Sequence, residues 1–154
     1  MEWAALIAWV VTAGGGFVML GLWLRGGGMA QAGRSGTLIR PPLILTHFGL
    51  AATGLVLWII YVASDSDALA WIAFGALVVV AALGFTMLAI WLQQRQAPAV
   101  AAASAPGTGT AASTSTASEA AERRFPVPVV IAHGLVAATT LVLVFLAAAG
   151  VGTS

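Results

Sequence analysis

Apolar residues run almost unbroken through four stretches, about Trp3–Leu24, Pro42–Ala63, Leu69–Leu92 and Pro126–Val151. Each is near or above the ~20 residues that cross the hydrocarbon core of a bilayer. Their β-branched residues do not argue against helix, because a segment in lipid must satisfy its own backbone hydrogen bonds. The pattern predicts an all-α polytopic membrane protein with a four-helix transmembrane bundle. The first stretch does not read as a signal peptide: its start, "MEW", lacks a basic n-region and the apolar run is too long.

One polar interruption is long. Residues 97–121, Ala97 to Ala121, are Ala, Ser, Thr, Gly and Pro without periodicity, read as a flexible cytoplasmic linker that cannot bury a core. Residues 1–96 then hold the first hairpin and the third helix, and residues 122–154 the fourth, in a single membrane domain.

Composition narrows the class. Of 154 residues, 60% are hydrophobic and 7% charged. A soluble domain carries about a quarter charged residues. The net charge of +1 and the scattered arginines give no nucleic-acid stripe. There are no cysteines, which removes disulfides, iron–sulfur clusters, thiolate zinc sites and cysteine nucleophiles together.

The charges also orient the chain. Arg25, Arg34 and Arg40 lie between stretches one and two, and Arg95, Arg123 and Arg124 between three and four. Glu2, Asp65 and Asp67 lie at the opposite ends. The positive-inside rule places both arginine loops in the cytoplasm and both termini outside, in a plasma (inner) membrane. Trp3, Trp23, Trp58, Trp71 and Trp91 fall near the expected interfaces, where such rings collect.

An internal repeat links the halves. "GFVMLGLWL" (Gly16–Leu24) and "GFTMLAIWL" (Gly84–Leu92) share six of nine residues, and "HFGLAATGLVL" (His47–Leu57) and "HGLVAATTLVL" (His133–Leu143) share seven of eleven. The same order in both halves predicts two parallel hairpin repeats, related by an axis along the membrane normal.

The repeat carries both histidines of the chain, His47 and His133. In an up-down bundle they fall on diagonal helices. They stand seven residues past Arg40 and nine past Arg124, on the order of 10 Å in from the cytoplasmic edge. With neighbours 8–10 Å apart, the diagonal is roughly 11–14 Å, too long for a direct His–His contact. Leu50, Ala51 and Gly54 follow His47 on its helical face, and Val136, Ala137 and Thr140 follow His133. Such small residues suit a flat cofactor or close helix packing. Met19 and Met87 also match in the repeat, and Gly14 and Gly21 share a face that permits close helix contact.

Two imidazoles across a gap point to haem b with His47 and His133 as axial ligands. Arg40, Arg34 or Arg124 would meet the propionates, and Ala51 and Ala137 would lie against the macrocycle. The arrangement resembles the architecture of four-helix membrane cytochromes b, which hold haem between histidines of different helices. Those proteins often carry two histidine pairs. The single pair here puts a two-haem wire in doubt. The resemblance implies electron transfer within a larger membrane complex or homo-oligomer. A different reading takes the chain as a cofactor-free accessory or scaffolding subunit of a transporter or respiratory complex, each histidine being neutral and bonded to Thr46, Thr53, Thr139 or a carbonyl. A further one gives His47, His133, Met19 and Met87 to Cu(I), which favours imidazole and thioether donors, or gives the bundle to a quinone or small solute. No carboxylate lies within a span, so a carboxylate proton relay and a Ser–His–Asp site are not expected. The glycines at 26–28 precede no phosphate-loop lysine.

Overall fold

A computed structural model describes residues 1–30, 39–103 and 125–151, with the backbone alone for 97–103. Four helices account for nearly all of them: α1 (Glu2–Arg25), α2 (Pro41–Ser64), α3 (Asp67–Ala103) and α4 (Val127–Ala148). Each contains a stretch long and apolar enough to cross a membrane. The described part of the chain is therefore all-helical, as expected.

Local chemistry sets the helix ends. α2 and α4 both begin with proline in the first two positions, where the missing N–H costs nothing. α1 ends through Gly26 with Gly27 at φ 80°; the N–H of Gly27 donates to Leu24 O and that of Gly28 to Trp23 O, both at 3.0 Å. α4 ends the same way: Gly150 has φ 75°, and the N–H of Gly150 and of Val151 donate to Ala147 O and Leu146 O. A left-handed glycine that closes the last carbonyls is a common helix stop. The glycines at 26–28 thus cap a helix. α2 and α3 are joined by Asp65 and Ser66 alone, with Asp65 in the left-handed region at φ 50°.

The fourth helix is shorter than expected because Gly150 stops it. The third is longer. At 37 residues it measures about 55 Å, some 20 Å more than α1. It runs to Ala103, into the stretch read as linker; residues 104–121 lie outside the described ones.

The helices close in a ring. α2 packs chiefly on α3, and α1 on α4, with lesser contacts between α1 and α2 and between α3 and α4. Among the described residues the backbones of α2 and α4 do not come close, nor do those of α1 and α3, so these are the diagonals. The described acidic residues Glu2, Asp65 and Asp67 gather at one end, and Arg25, Arg40 and Arg95 at the other.

The two halves of the bundle pack differently. Toward the acidic end, Ala5, Trp9, Trp58, Tyr61, Ala70, Ala73, Leu77, Val80, Val144 and Ala147 form one buried cluster. Gly54 admits Trp9 here: a Cβ on Gly54 would lie 3.0 Å from the Trp9 ring. Thr12 and Thr140 hydroxyls meet at 2.9 Å between α1 and α4. Trp3 and Trp71 point outward, but Trp23, Trp58 and Trp91 turn into the protein. A large ring near a helix end fills the bundle at these three positions, whatever the level at which it sits.

Candidate functional site

His47 and His133 are each the seventh residue of their helices, about 9 Å from the helix start. The prolines that open α2 and α4 hold that depth in common. The two helices are diagonal.

Each ring is seated on glycine of a neighbouring helix. A Cβ on Gly84 of α3 would stand 3.3 Å from His47 Cε1. A Cβ on Gly15 of α1 would stand 3.2 Å from His133 Nδ1, and one on Gly16 3.5 Å from its Cε1. Gly84 and Gly16 are the matched first residues of the nine-residue repeat segments. Gly14 and Gly21, expected to carry the close contact, have nothing within 4 Å of an added Cβ. The face that α1 turns to α4 is offset from theirs by one or two residues.

Both rings turn Nδ1 to a main-chain oxygen of a neighbouring helix. His47 Nδ1 donates to the main-chain oxygen of Val80 at 3.0 Å. A carbonyl only accepts, so Nδ1 carries the proton and Nε2 keeps its lone pair. His133 Nδ1 is buried and turned to the main-chain oxygen of Thr12, which stands in the repeat where Val80 stands in α3. Two of the threonines considered as partners bond elsewhere. Thr53 donates to Gly49 O and Thr139 to Leu135 O, each within its own helix.

Around the histidines the packing is looser. From Val10 to Leu22 of α1, Pro41 to Thr53 of α2, Ala81 to Ile90 of α3 and Val127 to Thr139 of α4, no residue is fully buried. Leu50, Ala51, Val136 and Ala137, one turn beyond the histidines, are half-buried, as are Met19 and Met87, one turn from the glycine seats. Gly54 and Thr140, a further turn on, belong to the close packing described above. Arg40 is exposed at the N-cap of α2; Arg34 and Arg124 lie outside the described residues.

The donor set is two imidazoles, with two thioethers on the adjoining turns. Among the described residues no group of three or more His, Cys, Asp or Glu is placed to hold a metal ion. The residues fit haem in three respects: paired imidazoles on diagonal helices, glycine seats that set the rings, and a loosely packed layer lined by small and aliphatic side chains. Residue patterns had identified the histidines but not the seats. The signal for Gly16 and Gly84 was their place at the head of the repeat; Gly15 had no such mark.

Comparison of the chain with protein-family models, curated proteins and solved structures finds no match.

Proposed function

We propose that the protein is a membrane-embedded, b-type haem subunit that takes part in electron transfer within a larger assembly, with His47 and His133 as the axial pair. The observation that carries this reading is the placement of two imidazoles at one depth on diagonal helices, in the one layer of the bundle where no described residue is fully buried. When bound, haem supplies a one-electron couple whose potential depends on its axial ligands and on burial. The chain's own residues would do the rest. Gly84, Gly15 and Gly16 orient the rings, Ala51 and Ala137 give a flat group room, and Arg40 offers a cation at the helix start for a propionate.

In this reading the two hairpins are parallel repeats. The arginine end faces the cytoplasm, and both termini lie outside. The matched seats support the repeat, since His47 rests on Gly84 as His133 rests on Gly16.

A second reading, a cofactor-free accessory subunit, has the His47–Val80 hydrogen bond in its favour, because a structural histidine would make the same bond. A visible spectrum of protein expressed with ample haem separates the two. A Soret band with low-spin b-type character supports the haem subunit, and its absence overturns it. Copper analysis of a band-free sample then tests His47, His133, Met19 and Met87 as a Cu(I) set.

A further inference from the structure

The histidine layer is not centred in the bundle. His47 is about 9 Å from the start of α2 and about 25 Å from its far end; for His133 in α4 the distances are about 9 Å and 22 Å. The near end carries Arg25, Arg40 and Arg95, all exposed, and the far end carries Glu2, Asp65 and Asp67. Between the layer and the far end lies the close-packed cluster around Trp9, Trp58 and Tyr61. It holds no histidine, since both stand in the one layer.

The arginines stand on three of the four helices: Arg25 in the last turn of α1, Arg40 at the N-cap of α2 and Arg95 on α3. The charge therefore borders the mouth of the helix ring on three sides, where the aqueous phase lies above. Arg95 is also held in place. Its guanidinium lies 5.0 Å from the centre of the Trp91 ring, and Trp91 is buried. In the sequence, six arginines stand on that side against Glu119 and Glu122, a balance of +4, and the other side stands at −3. A field of one sign over a redox centre attracts a carrier of the opposite sign and speeds their encounter by about ten-fold or more.

We infer that the arginine end is the face at which electrons are exchanged, and that its partner is an acidic, water-soluble one-electron carrier protein. Electron tunnelling falls exponentially with distance, so the near end is the open route and the far end is closed. In each exchange one electron leaves the reduced carrier and the bound iron passes from ferric to ferrous. No bond forms or breaks in that step. The inference deepens the haem reading and rests on it.

Flavodoxin, a small acidic one-electron carrier, is the probe, with the full chain in phosphatidylcholine nanodiscs. Binding of oxidised flavodoxin is measured on protein with and without haem. Reduction of the ferric holoprotein by flavodoxin hydroquinone is followed at the Soret band. Both should weaken as salt rises. At low salt the double variant Arg25→Gln/Arg95→Gln should bind about three-fold or more weakly and be reduced about three-fold or more slowly, converging with the wild type at high salt. Glu2→Gln, at the other end, should stay within about 1.5-fold of the wild type. Should the double variant take up less haem, its binding in the haem-free state decides. Equal binding by the double variant and the wild type, or a reduction rate that rises with salt, overturns the inference while the haem reading stands. Loss of bound phosphatidylglycerol by the double variant, with no change toward flavodoxin, assigns the arginines to lipid headgroups and overturns it likewise. A wild type with no Soret band overturns the haem reading and this inference with it, whatever flavodoxin binds.

Discussion

His47 Nδ1 reaches the main-chain oxygen of Val80 at 3.0 Å, and it does so across Gly84, which stands four residues along α3. In a helix the carbonyl of residue i accepts from the N–H of residue i+4. Val80 O therefore serves Gly84 within α3 and keeps a second lone pair for a neighbour. A side chain at Gly84 would crowd the approach, because its Cβ would already stand 3.3 Å from His47 Cε1.

Gly84→Val should push the His47 ring off Val80. Overpacking of this kind costs about 1–3 kcal/mol. The expected outcome is a lower unfolding temperature in detergent, with loss of the Nδ1–H signal of His47. An unchanged signal would show that the ring does not depend on this seat.

Gly28→Ala should destabilise the end of α1. A Cβ there would fall within the Trp23 ring, which is fully buried and has no easy retreat. We expect a loss of about 1–3 kcal/mol, readable as a shift in thermal unfolding and in Trp fluorescence. Gly21→Ala is the control, since nothing lies within 4 Å of its added Cβ.

The Thr12–Thr140 hydrogen bond joins α1 to α4 at 2.9 Å. Bonds of this type between helices in lipid average about 0.6 kcal/mol. A double-mutant cycle with Thr12→Val and Thr140→Val should return a coupling of that order. Strict additivity of the two single losses would mean that the hydroxyls do not act on one another.

A reporter fused after Ser154 should read as external. All six arginines fall between the first and second or the third and fourth apolar stretches, on the side assigned to the cytoplasm. A cytoplasmic signal at that position would invert the proposed orientation and put the histidine layer near the outer face.

Much of the architecture was legible because it depends on length and charge alone. The four apolar stretches, the prolines that open α2 and α4, and the parting of acids from arginines are local properties. Two histidines at a shared depth on diagonal helices follow from those properties and the helical rise. The contacts were not legible. Gly14 and Gly21 looked as suitable for close approach as Gly15 and Gly16, and Gly54 looked as suitable beside a cofactor as beside Trp9.

By itself, then, the sequence determined an all-helical chain of four apolar segments, their order, and the level of His47 and His133 along them. Only the tertiary structure decided that α2 lies against α3 and α4 against α1. It also decided that Gly84, Gly15 and Gly16 seat the histidines, and that Trp23, Trp58 and Trp91 turn inward. The reason is that these helices are apolar all round. Where lipid-facing and core-facing residues are equally hydrophobic, no polar face marks the outside. Steric fit between helices then selects which glycine and which ring turns in. Fit is a property of pairs of surfaces, and a single strand of sequence carries no record of which surfaces meet.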